Sequence, residues 1–141
     1  MNPALSAKLE AALAAGDLLQ SSFDNLSELL AGSVNPVYEA SVEWLANEGQ
    51  WKELNNRFFK KLAFGTGGLR GRSIGEIVTP AERGSAPEGG RPEFPCVGTG
   101  NLNFYNLTRA TLGLVRHLLK AHSGPGRPSI AIARDTRYFG K

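Results

Sequence analysis

Residues 107–137 read LTRATLGLVRHLLKAHSGPGRPSIAIARDTR. Leu107, Ala110, Leu114, Val115, Leu118 and Leu119 recur at helical spacing, which predicts an amphipathic helix capped by Asn106 or Thr108 and ending near His122-Ser123-Gly124. GPGRP at 124–128 is turn chemistry, and residues 129–133, SIAIA, form a short, partly β-branched apolar run that suits a buried strand. Arg134-Asp135-Thr136-Arg137 follows at its C-terminal end. Helix, turn, buried strand and charged loop together are the grammar of an α/β layer. Ligands of open sheets gather beyond the strand C-termini, which makes Asp135 and Arg137 a possible site edge; an ion pair that merely holds the loop is the competing structural role.

Upstream, the first sixty residues read as helices. Asn2-Pro3 and Asn35-Pro36 are each a cap residue followed by proline at the first helical position. Leu5, Leu9, Ala12 and Leu13 make one stripe ending at Gly16. Leu19, Phe23, Leu26 and Leu30 make a second, with Asp17 as its expected cap and Gly32 at its end. Val37, Ala40, Trp44 and Leu45 share a third face, and Trp51, Leu54, Phe58, Lys61 and Leu62 suggest a further helix. Such stripes are core surfaces.

The middle differs in kind. Residues 64–71, FGTGGLRG, hold four glycines in eight positions. Their backbone N–H groups can converge without Cβ obstruction, next to a hydroxyl and a guanidinium fork, and those are the parts of a phosphate cradle. The alternative is a tight turn between helix and strand. Neither a dinucleotide fingerprint nor a Walker-type loop fits: the first needs glycine where Arg70 stands, the second needs Gly-Lys before Ser or Thr. Residues 74–78 are a short strand candidate, and the Pro- and Gly-rich residues 79–100 read as an exposed loop of functional or mobile character.

Composition narrows the class. The 141 residues are 41% hydrophobic and 21% charged, a globular balance sized for one domain. No run approaches the roughly 20 apolar residues of a membrane span, and the N-terminus lacks the features of a signal peptide. Cys96 is the lone cysteine and only His117 and His122 accompany it, so neither a disulfide framework nor a zinc cluster is expected; a cytoplasmic chain with no metal of its own is. The net charge of +3 conceals −6 over residues 1–56 and +9 over the remainder. An anionic partner is expected to meet the second part, although two solvated surfaces of opposite sign would look the same. Without a Lys/Arg-rich helix or aromatic-interleaved basic strands, nucleic acid is not an expected partner.

Four ordered blocks carry a resemblance: Phe64-Gly65-Thr66-Gly67-Gly68-Leu69-Arg70-Gly71; Gly98-Thr99-Gly100-Asn101 with Asn103, Tyr105 and Asn106; Ala110-Thr111-Leu112-Gly113-Leu114; and Ala133-Arg134-Asp135-Thr136-Arg137. Over roughly residues 40–141 the chain resembles the first domain of the α-D-phosphohexomutases, the phosphoglucomutase and phosphomannomutase branch. The resemblance implies an α/β fold in which N-terminal helices (residues 1–35) precede an incomplete three-layer α/β/α domain with a mixed sheet (residues 36–141). It also implies an isomerase of carbohydrate metabolism that moves a phosphoryl group between the 1 and 6 positions of a hexose through a phosphoserine and a hexose 1,6-bisphosphate, assisted by Mg2+. Thr66, Gly67, Gly68 and Arg70 would border the phosphoserine, with Arg70 as phosphate clamp and Thr66 as a neighbouring hydrogen bond.

The chain departs from that pattern in what it lacks. The family's serine lies in a Ser-His-Asn-Pro segment downstream of the Asp-Thr-Arg block, and no Ser-His pair occurs here. The Asp-Gly-Asp-x-Asp metal loop is also missing, so no catalytic residue and no metal ligand is assigned. Ser73, Ser85, Ser123 and Ser129 have no matching context. The resemblance therefore implies an inactive N-terminal fragment; the alternative is a non-catalytic sugar-phosphate or protein-binding module that retains the cradling loop.

Overall fold

Local signals place most of the helices. The computed structural model describes residues 1–133 together with Thr136 and Phe139. Along it run α1 (Pro3–Ala15), α2 (Gln20–Gly32), α3 (Pro36–Asn47), α4 (Trp51–Phe58), the strands β1 (Phe64–Gly65) and β2 (Gly68–Leu69), then α5 (Pro80–Arg83) and α6 (Phe104–Ala121). Asn2 caps α1 by accepting the Leu5 N–H at 2.7 Å, and Asn35 caps α3 by accepting that of Val37 at 3.0 Å. Gly16 closes α1 at φ +80°, where a side chain would be strained.

The start of α2 departs from expectation. Asp17 makes no cap; the helix begins after Leu19, whose N–H is taken by Asn55 Oδ1 at 2.9 Å, while Asn55 Nδ2 donates to the Asp17 carbonyl at 2.8 Å. An amide from α4 thus satisfies the end of α2 from across the bundle. The apolar faces shift as well. Leu19 is half exposed; on α3 Leu45 is buried and Val37 and Trp44 pack partly buried against the core as expected, but Ala40 is exposed and the buried face also takes in Tyr38, Ser41, Val42 and Ala46. Leu5, Leu9, Leu26, Leu29, Val42, Leu45, Leu54 and Phe58 meet in one core that spans residues on both sides of position 35. Each such side chain contributes roughly 1.5–3 kcal/mol on leaving water.

Beyond α4 the chain is held by polar groups more than by apolar ones. Residues 79–106, expected to be an exposed loop up to position 100, bury Thr79, Glu82, Cys96, Val97, Thr99, Asn101, Asn103 and Asn106. Thr79 and Glu82 form a reciprocal capping box on α5. Asn103, not Asn106 or Thr108, caps α6, accepting the Asn106 N–H at 3.1 Å. Asn106 is spent inside the loop, its Nδ2 donating to the carbonyls of Thr99 at 2.9 Å and Asn101 at 2.8 Å.

The sheet is smaller than an α/β reading requires. Among the described residues it consists of β1 and β2 alone, paired antiparallel with Phe64 opposite Leu69 and Gly65 opposite Gly68. Residues 74–78 are irregular, and residues 129–133 run as exposed, unpaired chain with Ile132 88% exposed. The physical reason is that an apolar run becomes a strand only when a neighbour takes its N–H and C=O groups, and no described segment lies there to do so. The observed architecture is therefore mixed and mainly helical with one small antiparallel hairpin. A three-layer arrangement is not formed among the described residues. On α6, Leu107, Leu114 and Leu119 of the stripe that the sequence marks are about half exposed or more, so that face has no partner among the described residues.

Candidate functional site

The glycine-rich segment makes the hairpin turn itself. Thr66 and Gly67 sit at its tip, and Gly67 and Gly68 adopt φ of +107° and +109°, conformations that disfavour any side chain. Arg70 folds back over this turn: a Cβ built on Gly67 would stand 3.2 Å from Arg70 Nη2. Thr66, Gly67, Gly68 and Arg70 are thus brought together, but they do not share one surface. Arg70 lines a cleft of about 430 Å³ with Asn56, Lys60, Gly71, Arg72, Glu76, Cys96 and Asn101, whereas the hairpin tip lies outside it. Asp135 and Arg137, the possible site edge, lie outside the described residues.

Three chain segments wall the cleft, and backbone bonds lock them together. Gly100 N–H donates to the Arg57 carbonyl at 2.9 Å and Leu62 N–H to that of Thr99 at 2.7 Å, while Thr99 Oγ1 donates to the Lys60 carbonyl at 2.8 Å; together they tie the end of α4 to residues 99–100. Leu102 N–H reaches the Arg72 carbonyl at 2.8 Å and Cys96 N–H that of Ser73 at 2.9 Å. Gly71 permits this approach, since a Cβ there would stand 2.9 Å from the Leu102 nitrogen.

Behind the cleft lies a buried ion cluster. Arg57, 2% exposed, donates from Nε to Glu53 Oε1 at 2.8 Å and from Nη1 to Glu82 Oε1 at 2.6 Å, and its Nη2 donates to the Ile77 carbonyl. Glu82 also accepts the N–H groups of Val97 at 2.7 Å and Thr79 at 3.0 Å. One guanidinium thereby joins α4, the irregular segment around Ile77, α5 and the segment around Val97, so its role is structural. Its pattern was visible as Glu53 and Arg57 at helical i,i+4 spacing; its burial was not.

The charges that face the cleft are mostly cationic. Arg70 has no hydrogen-bond or ion-pair partner among the described residues. Lys60 lies over the Phe59 ring, its Nζ 5.0 Å from the centroid. Arg72 donates to Glu76 Oε1 at 2.8 Å, and Glu53 is committed to Arg57. Sequence reading singled out Arg70 and missed Lys60, Arg72 and Asn101, whose only signals were the positive balance after residue 56 and the asparagines flanking Gly100. Arg70, without a partner among the described residues, and Lys60, engaged only by the Phe59 ring there, can bind an anion electrostatically and, through the guanidinium, bidentately.

Cys96 lies on the cleft wall but is 2% exposed, with Asn101 Nδ2 donating to its Sγ at 2.9 Å. Burial pushes its pKa from an ordinary value of about 9 up to about 12, against the pull of Arg57. The thiol is therefore protonated and inert. It should resist iodoacetamide at pH 8 in the native protein and react fully in urea; fast native labelling would contradict the placement. Because the unfolded chain releases this proton first, the Cys96 contribution to stability is complete below pH 9 and is lost as pH rises from about 9 to about 12.

Among the described residues no group of three or more His, Cys, Asp or Glu could hold a metal ion, and no helix is long and apolar enough to cross a membrane. The Mg2+ that the sequence resemblance implies finds no donor set there, so no step is derived through it. Comparison with protein-family models, with curated proteins and with solved structures gives no match to this chain.

Proposed function

We propose that this chain is the N-terminal part of a phosphohexomutase of the phosphoglucomutase and phosphomannomutase type, and that its cleft holds the phosphate of a hexose phosphate. The observation that carries the reading is Arg70: an arginine without a partner among the described residues, positioned by the FGTGGLRG hairpin at the wall of a cleft of about 430 Å³ that also presents Lys60. A phosphoryl-transfer site needs positioned cations of this kind, because catalysis of that reaction is largely positioning and charge stabilisation. In this reading Arg70 clamps the phosphate from the cleft wall, while Thr66, on the hairpin tip outside the cleft, is given no part in holding it. The nucleophile would come from a Ser-His-Asn-Pro segment that these 141 residues do not contain, so the chain by itself is inactive as a mutase.

The same reading accounts for the apolar surfaces left open. Further chain would pair residues 129–133 as a strand and cover the leucines of α6, completing a three-layer α/β/α domain with a mixed sheet. A cytoplasmic location goes with a phosphorylated sugar as substrate and with a single unpaired thiol. The test is to read the coding DNA past codon 141 in all three frames. A segment encoding Ser-His-Asn-Pro supports the mutase. A stop followed by unrelated sequence removes catalysis and leaves a sugar-phosphate-binding module.

A further inference from the structure

Arg70 and Arg72 are separated only by Gly71 and line the same cleft, yet they differ in state. Arg70 has no partner among the described residues, whereas the Arg72 guanidinium is engaged by Glu76, four residues on, with Nη1 2.8 Å from Oε1. Both members of that pair are more than half exposed, and Glu76 itself lines the cleft. Neither side chain is buried and neither hydrogen-bonds to the Arg57 cluster among the described residues, so the pair contributes little to stability. The Glu76 carboxylate oxygen takes from Arg72 the kind of charge-assisted hydrogen bond that an oxygen of a phosphate would take.

We propose that Arg72 is a second anion-binding group of this cleft and that Glu76 occupies it as an internal stand-in, so that a phosphate monoester must displace Glu76 to engage both arginines. This rests on the reading of the Arg70 cleft as a phosphate site. Displacement sets a selectivity: a dianion recovers more from two guanidinium groups than the single intramolecular contact it breaks, whereas a neutral sugar recovers nothing. Glu76 is held in the ionised form by its bond to Arg72, which keeps its carboxyl below the usual carboxylate range.

The experiment is a calorimetric titration of inorganic phosphate into the full chain and into Glu76→Gln, Arg72→Gln, the double variant and Arg70→Gln. Thermal melts of all five should coincide, because these side chains are exposed. Glu76→Gln should bind phosphate about three- to fivefold more tightly, the scale of one exposed ion pair released from competition. In the Arg72→Gln background the same change should have no effect. An equal gain in both backgrounds would mean that Glu76 acts only through the general field and would overturn the proposal. So would an affinity unchanged by Glu76→Gln while Arg70→Gln abolishes binding; that outcome leaves the Arg70 reading intact. If no protein in the set binds phosphate, the Arg70 reading fails and the proposal falls with it.

Discussion

Arg57→Ala should destabilise the protein by about 3–5 kcal/mol, the scale of removing one partner from a buried ion cluster. The loss comes less from the missing attraction than from what remains. Glu53 and Glu82 are 4% and 1% exposed, and without Arg57 both carboxylates stay in the interior uncompensated. Glu82 would still accept from Val97 and Thr79, but Glu53 would keep no hydrogen-bond donor among the described residues. The carbonyls of Ile77 and Val97 lose a donor as well. Arg57→Lys should recover only part of the loss, since one ammonium cannot reproduce the fork that reaches four acceptors. Leu114→Ala, at a side chain 49% exposed on α6, should change stability by less than about 0.5 kcal/mol. Urea unfolding of the three variants measures this; a cost below about 1 kcal/mol for Arg57→Ala would show that the cluster is not a structural hub.

Arg70→Gln should weaken phosphate binding by about tenfold or more, with no change in melting temperature. The magnitude follows from a charge-assisted hydrogen bond to an anion, about 1.5–3 kcal/mol, taken at its lower end because the cleft is open to water. Arg70→Lys should recover part of the charge but not the bidentate geometry. Affinity should fall with added salt in the wild type and less steeply in Arg70→Gln, as screening acts on the charge that was removed. Calorimetry at two ionic strengths reads both quantities. Equal affinity and equal salt dependence in wild type and Arg70→Gln would place the anion elsewhere.

The features legible in the sequence are those whose causes are local. Asn2-Pro3 and Asn35-Pro36 start helices because cap and proline act within one turn, and the tight turn at Gly67 follows from four glycines in eight residues. Causes that act at a distance were not legible. The start of α2 depends on Asn55, about 36 residues away, and the burial of Arg57 depends on Glu82 and Val97, 25 and 40 residues away. Likewise the cleft required Thr99 to reach Lys60 and Leu102 to reach Arg72, so Arg70 could be singled out from its own motif but the residues that share its cleft could not. Residues 129–133 failed as a strand for a related reason: their composition describes an environment, and among the described residues nothing supplies it.

In the proposed function the Arg70 cleft recognises a phosphate ester. The most direct measurement is a backbone-amide NMR titration of the full chain with glucose 1-phosphate, with glucose as the control ligand and Arg70→Gln as the control protein. Saturable shifts confined to residues 67–72 and 99–102, absent with glucose and abolished in Arg70→Gln, are expected. Shifts that do not saturate, or that are the same in Arg70→Gln as in the wild type, would contradict the proposed recognition.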